Sequence, residues 1–352
     1  MRKTMTSKNK QLIIVAAIAS VLLITIFVAG CTSNSSGSNT ATPAPGASAA
    51  PNQTVVLRTT TTTGSVTLID IAEAKGYFAQ QGVTIQSVGN VNGGTQSVQA
   101  LIAGQADIAG SAWPPWINAA SGNPKLTVVV ASQGQNENET GELWLVHKNS
   151  SIYTAQDLIG KKIAVNVLGA EGDYVTRDYL AKSNISIKQV QLVVVPWPQH
   201  EQVFESNQVD VVSVNQPFAN KILADGDARV LFSDYTDRGE TALFVYGFTQ
   251  DYIDKNPATV KGFVTAMAEA ADWAVANPAD ANALASSILV KEGMNPTLAS
   301  YWSPSQAWPH ALIHDSDVQW WLDTLTKSGT IKAGSLQPSD LYTNQYNPNY
   351  TG

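Results

Sequence analysis

The chain has 352 residues, 44% of them hydrophobic and 14% charged, enough to fill one or two packed cores. Residues 1–30 hold Arg2, Lys3, Lys8 and Lys10 and no acid; without them 17 basic and 28 acidic residues remain, a net charge of −11. A surface of that sign repels nucleic acid and anionic headgroups, so no nucleic-acid partner is expected. With a single cysteine, neither a disulfide framework nor a cysteine-based zinc site can form.

In chain order, the basic start leads into an apolar run from Leu12 to Phe27 and then Val28-Ala29-Gly30-Cys31. This resembles the lipobox of secreted lipoproteins, in which small residues admit a signal peptidase to the bond before a cysteine that is lipidated. The resemblance implies a signal peptide over 1–30, lipidation at Cys31 and anchorage at the extracytoplasmic face of the cell membrane. The alternative is a retained membrane helix, since 12–30 is nearly long enough to span a bilayer. From Thr32 to about Asn52 there is no charge and no large apolar residue, so 31–53 reads as a flexible tether. Asn-x-Ser/Thr triplets begin at Asn34, Asn52, Asn138, Asn149, Asn184 and Asn349; they fit an exported chain but are common by chance.

After the tether, strands and helices alternate. Val55-Val56-Leu57 is a strand and Val66 to Lys75 a helix closing at Gly76. Val83, Ile85 and Val88 alternate between glycines as a strand. Gly93-Gly94 opens a helix with Val98, Leu101 and Ile102 on one face, and Gly104 ends it. Asp107-Ile108-Ala109-Gly110 is too short and apolar for an exposed strand and is placed in a buried parallel sheet. Leu126 to Ala131 and Leu143 to Val146 read as buried strands. Thr154 to Asp157 is a capping-box-like start before Leu158 and Ile159. Strands at Ile163 to Val165, Val190 to Val195 and Val209 to Val214 alternate with helices at about Asp173 to Ser183 and Gln199 to Ser206. Such units imply parallel sheets with right-handed crossovers. Beyond Asn256-Pro257 the pattern is helical, at Thr259 to Ala276, Ala279 to Lys291, Pro296 to Tyr301 and Ser316 to Lys327. The tail from Gln337 lacks periodicity and is expected over the surface.

Four motifs then stand in order: Lys75-Gly76-Tyr77-Phe78 with Gly82, the Gly93-Gly94 turn, Gln99-Ala100-Leu101 with Gly104, and Asp107-Ile108-Ala109. Together they resemble the solute-binding proteins of sulfonate, nitrate and taurine importers. Thr154 to Val165 is similar to the family's S-x-x-D-L-K-G-K-K-V-A-V. Asn207 to Val211 is similar to G-x-V-D-A with Asn for Gly, and Asn215-Gln216-Pro217 to its E-P step. Asn256-Pro257 and Asn277 to Ala281 are similar to its closing helices. The likeness covers roughly residues 54–290. It implies an α/β chain with the type II periplasmic-binding-protein fold: two α/β lobes joined by a two-segment hinge, and a helical C-terminal part. One lobe is expected from 54–148 and 246–352, the other from 149–245.

The resemblance implies capture of a small oxyanion, a sulfonate, taurine or nitrate, by hinge closure, and delivery to an ABC permease and its ATPase. Those partners must be separate chains, because no Walker motif and no multi-span region is present. Related members bind pyrimidines and other heterocycles, which is the alternative solute. A tethered receptor serving a sensor kinase would have the same sequence features. Thiamine-precursor synthases resemble the same fold, but their chemistry is built on a cysteine-rich motif and metal-binding histidines, and the part after Cys31 has no cysteine. No enzyme, catalytic residue, cofactor or resident metal is expected.

In a two-lobed α/β protein, ligands settle outside the carboxyl ends of strands, where helix N-termini present amides. That rule selects the loops 59–64, 93–96, 110–113, 168–173 and 214–218. The candidate ligand contacts are Thr61, Thr62, Gly93, Gly94, Thr95, Gln96, Ser111, Trp113, Gly169, Trp197, Asn215 and Gln216, with Trp113, Trp197 and Phe218 as walls. Each has a plainer reading: Gly93-Gly94 only turns the chain, the threonines are ordinary loop, and Trp113 and Trp116 pack inside. Trp302, Trp308, Trp320 and Trp321 are expected in the core. Arg58 faces a ligand or a structural carboxylate. His310 and His314 have the spacing of a helical metal pair, but no glutamate follows His310 and no third ligand is evident, so a surface helix face is expected. An anion here depends on neutral donors, which suffice in a closed, desolvated site.

Overall fold

The computed structural model describes residues 54–62, 64–122, 125–302 and 307–352. The expected signal peptide, Cys31 and the tether lie outside the described residues.

The elements are β1 (Val55–Thr61), α1 (Leu68–Ala74), α2 (Tyr77–Gln80), β2 (Val83–Asn90), α3 (Gly94–Ile102), β3 (Ala109–Ser111), α4 (Trp113–Ser121) and β4 (Leu126–Gln135). There follow β5 (Leu143–His147), β6 (Lys162–Val165), α5 (Glu171–Lys182), β7 (Gln191–Val194), α6 (His200–Glu205), β8 (Val211–Val214), α7 (Phe218–Ala224), β9 (Ala228–Ser233) and α8 (Asp234–Arg238). The chain ends with β10 (Thr241–Thr249), α9 (Gln250–Lys255), α10 (Pro257–Ala276), α11 (Pro278–Lys291), α12 (Pro296–Ala299) and α13 (Asp315–Lys327). Local chemistry sets several boundaries. Thr67 and Asp70 form the capping box that starts α1, with Thr67 N–H donating to the Asp70 carboxylate at 2.7 Å. The helix closes at Gly76 as expected, and Gly76, at φ 75°, restarts the chain into the short α2. The capping box at Thr154 and Asp157 opens a 3-10 turn over Ala155–Leu158.

In the first lobe β1 and β2 pair in parallel, while β10 lies between β3 and β4, antiparallel to both. The Arg58 carbonyl accepts from the amides of Asp107 (2.9 Å) and Ile108 (3.2 Å) and so joins the two pieces. Arg58 also pairs with Asp107 at 2.7 Å, which gives its guanidinium a structural partner. In the second lobe the order is β7-β6-β8-β5-β9, with β6 parallel to β7 and β8 and with β5 antiparallel to both its neighbours.

Two expectations need correction. Only β1 and β2 form a wholly parallel sheet; β3-β10-β4 is antiparallel and the five-stranded sheet mixed, because each lobe receives one strand, β10 or β5, that arrives from the other lobe and runs against its neighbours. And β5, expected in the first lobe, pairs with β8 and β9 in the second, while all of β10 belongs to the first. The chain therefore crosses at residues 136–142 and 239–240, not near 148–149 and 245–246. An apolar run such as 143–147 fits either sheet; only its partner decides, and the sequence does not name the partner.

Among the described residues, one core surrounds α10, where Phe263 stacks on Phe78 (5.4 Å) and meets Phe248 edge-on (5.6 Å). A second lies among β6, β8, α6 and α7. A third runs through α4, α5 and α13 and contains Trp113, Trp116, Trp144 and Trp321. Trp302 is buried as expected, and Trp308 and Trp320 are partly buried against a core. His310 sits at φ 57° in the turn Pro309–Ala311, and His314 caps α13, so the two share no helix face. His310 Nδ1 is 2.9 Å from Asp272. No helix among the described residues is long and apolar enough to cross a membrane.

Candidate functional site

The carboxyl edge of the first sheet is built by close backbone approach. A Cβ on Gly94 would lie 1.9 Å from Ser111 Oγ and 2.9 Å from Ser111 Cα, so α3 begins directly against the end of β3 only because residue 94 has no side chain. The side of Gly94 where a Cβ would stand is filled by its own lobe, so only its backbone is left to offer a ligand. Thr60 Oγ1 donates to Ser97 Oγ (2.8 Å), which accepts from Gly110 N–H (3.2 Å), fastening β1, α3 and β3 together. At this junction Thr95 Oγ1, Ser111 Oγ and Trp113 Nε1 are buried without a hydrogen-bond partner. Buried polar groups are normally paired, and an unpaired one costs about 1–3 kcal/mol. The nine-residue α3 begins here, with its first amides lacking helical partners and its positive dipole end.

The second lobe meets this edge directly. A Cβ on Gly93 would lie 2.9 Å from Val167 Cγ1 and 3.1 Å from Asn166 Nδ2, at the end of β6. Asn166 is only 5% exposed. Further along, Gly64, at φ 78°, lies against the Phe218 ring, and Asn220 Nδ2 donates to the Tyr301 carbonyl at 2.9 Å. The loop after β6 is held by Gly169 N–H donating to the Asp173 carboxylate at 2.9 Å, and Asp173 pairs with Arg177 at 2.6 Å. Asn215 Oδ1 accepts from Gln216 N–H (2.8 Å), ahead of a cis Gln216–Pro217 bond. Trp197, in the turn Trp197–Gln199, is partly buried with an unpaired Nε1. Next to it His200 is fully buried, and burial pushes its pKa down to about 4, leaving it neutral.

The structure thus gathers Gly93, Gly94, Thr95, Ser111 and Trp113 at one edge. Gly169, Asn215, Gln216 and Trp197 stand on the carboxyl side of the second sheet. Trp113 is wholly buried in the core that includes α4, not an open wall. Thr61 Oγ1 donates to Asn90 across β1 and β2 at 2.5 Å, the Thr62 carbonyl accepts from Ser65 N–H at 3.3 Å, and Gln96 Oε1 accepts from Asn92 N–H at 2.8 Å. These three are engaged locally. Asn166 and Val167 were not among the expected contacts, because they precede the glycine-marked part of their loop.

Sequence reasoning also missed a buried ionic cluster at the crossings. Ser213 Oγ donates to Glu142, and Arg238 pairs with Asp234 and with Glu171, the latter at 2.5 Å. The guanidinium lies 4.5 Å over the Trp321 ring and 5.2 Å from that of Trp320. Gln135 Nε2 donates to the Gly239 carbonyl (2.9 Å) and its Oε1 accepts from Gly141 N–H (3.1 Å), tying both crossings together. Burial pushes the Glu142 carboxyl up to about 7, and burial next to Asp234 holds Glu171 well above the ordinary range. The sequence offers only the i, i+4 spacing of Asp234 and Arg238, in a segment with no expected element.

Among the described residues, Glu201, Glu205 and Asp225 lie close enough to share a metal, but Lys221 spans Glu201 and Asp225 and puts an ammonium there. Two surface depressions lie elsewhere. One of about 600 Å³ is lined by His314, Asp315, Tyr342 and Asn344, and one of about 490 Å³ by Tyr153, Tyr179, Lys182 and Asp237.

A family model described as NMT1/THI5 like matches residues 64–281. A putative binding protein of Brucella abortus (strain 2308) is 26% identical over 288 residues, covering 78% of this chain and 86% of that protein. The periplasmic aliphatic sulphonate binding protein SsuA from Escherichia coli aligns with a TM-score of 0.65 and 22% identity, over 83% of this chain and 98% of that one. The periplasmic nitrate-binding protein NrtA from Synechocystis PCC 6803 aligns with a TM-score of 0.64 and 16% identity, over 83% of this chain and 86% of that one. At these identities the likeness to the solved structures is one of fold.

Proposed function

Because the chain belongs to the NMT1/THI5-like family, we propose that it is the extracytoplasmic solute-binding component of an ABC importer and holds a small oxyanion between its lobes. Its fold is the type II periplasmic-binding-protein fold, two α/β lobes with equivalent strand orders. One observation carries the reading: the unpaired hydroxyls of Thr95 and Ser111 stand at the α3 N-terminus, where Gly93 meets the end of β6 in the other lobe. An oxyanion placed there accepts from both hydroxyls and from helix-end amides, with no cationic side chain required. Solute favours the closed state only by its differential affinity for it, so contact with both lobes is what drives closure about the crossings at 136–142 and 239–240. The relatives named for sulphonate and nitrate support an oxyanion over a heterocycle, and the burial of Trp113 removes one wall on which a flat ring would stack.

The test is thermal unfolding with ethanesulfonate, taurine, nitrate and an aminopyrimidine in parallel. A true solute at about one hundred times its dissociation constant adds about 2.7 kcal/mol to the native state. Ser111→Ala should weaken the best of them about tenfold or more while leaving the unliganded protein as stable as before. A shift with the aminopyrimidine alone, or undiminished affinity in Ser111→Ala, would move the site or the solute class.

Attachment is proposed at Cys31, on the Val28-Ala29-Gly30-Cys31 sequence. Cys31→Ser should leave residues 1–30 in place and the thiol unmodified, changing the intact mass and detergent extraction. A wild-type protein whose mass still includes residues 1–30 would instead support a retained helix.

A further inference from the structure

The two adjacent glycines at the start of α3 face different partners. The three atoms nearest a Cβ on Gly94 belong to Ser111, in the same lobe. The three nearest a Cβ on Gly93 belong to Asn166 and Val167, in the other lobe. Gly93 has φ 165°, extended backbone open to any residue, and it sits at the N-cap with no side-chain cap bond. Serine, aspartate or asparagine would cap the helix better there, and glycine adds the cost of its chain entropy. Neither conformation nor capping explains the residue. The remaining property is the space it leaves.

We infer that Gly93 is the clearance through which the second lobe seats: the missing methyl lets Asn166 and Val167 reach the α3 N-terminus, so residue 93 governs lobe closure while residue 94 shapes the first-lobe wall. This rests on the solute-binding reading for its consequence in affinity. A methyl at 93 overlaps Val167 only when the lobes meet. It therefore penalises the closed state and leaves the open state, the Ser111 and Thr95 hydroxyls and the α3 amides untouched. Solute affinity falls with the population of the competent state. Overpacking of this kind reduces that population about tenfold or more. Truncating Val167 removes the obstacle from the opposite side and restores closure.

The experiment compares wild type, Gly93→Ala, Val167→Ala and the double variant by ethanesulfonate titration calorimetry and small-angle scattering. Gly93→Ala is expected to keep its urea midpoint, bind about tenfold or more weakly and show a larger radius of gyration. The double variant should return to within about threefold of Val167→Ala alone. Gly93→Ala that binds and compacts like wild type, a double variant as weak as Gly93→Ala, or a Gly93→Ala chain that does not fold would each overturn the inference, the last by placing the clash inside the first lobe. If wild type binds no ethanesulfonate, the oxyanion reading is what has failed, and the same four proteins are titrated with the aminopyrimidine: weaker binding in Gly93→Ala that is restored in the double variant supports the clearance, and equal affinity in all four refutes it.

Discussion

Arg238→Met is expected to lower the unfolding free energy by about 3–5 kcal/mol at pH 8, the usual cost of removing one partner from a buried ionic group. The guanidinium stands among Glu142, Glu171 and Asp234, and methionine keeps much of the volume between the tryptophan rings while removing the charge. The loss should shrink at acid pH. In the folded wild type the Glu142 carboxyl is held at about 7, above its ordinary 4.5, chiefly by burial. Its contribution is fully present below about 4.5 and is lost as pH rises through 7, because folding then forces a buried acid to ionise. Without Arg238 the carboxyls hold their protons more tightly still, so the variant declines more steeply over the same range. Urea titrations at pH 5 and pH 8 check this. A penalty equal at both, or under about 1 kcal/mol at pH 8, would mean the cluster is hydrated and not buried as described.

Trp321→Ala is expected to cost about 3–5 kcal/mol, as deletion of a buried aromatic ring generally does. The ring is wholly buried on α13, edge-on to Trp320 at 4.7 Å, in the cluster that holds Trp113, Trp116 and Trp144. It also supports Arg238 from below, so the two substitutions act on one contact. The double variant should lose less than the sum of the singles, by about 0.5–3 kcal/mol. Trp321→Phe should recover part of the packing and part of the cation–π contact. Strict additivity would show that the ring and the guanidinium are energetically separate.

What was legible from the chain was whatever short-range chemistry decides. The strand–helix alternation, the Gly93-Gly94 helix start, the capping box at Thr154 and Asp157 and the long α10 follow from patterns within a few residues. The order of motifs identified the fold because the family repeats them. Strand direction and lobe membership were not legible at β5 and β10, since an apolar run looks the same beside either set of partners. At the site, Thr95 and Ser111 could be selected by the rule that ligands gather at strand ends. The separate tasks of Gly93 and Gly94 could not, because one depends on Ser111, nearby in sequence, and the other on Val167, far along the chain. Glu142 meets Asp234 and Arg238 only after both crossings are made, so no local pattern marks it.

The place of β10 has a consequence for how the molecule is assembled. It is the middle strand of its sheet and pairs with β3 and β4 over more than a hundred residues of intervening chain. The second lobe is continuous, from β5 to α8, and all five of its strands have been made before β10 exists. As the chain lengthens, β3 and β4 have no strand between them until Thr241–Thr249 arrives, and the core around Phe263 waits for α10. Pairings of such long separation are slow, because the loop must be closed before any contact rewards it. The later-made lobe is therefore the first that can finish, and the lobe begun first is completed last, around a neighbour already in place.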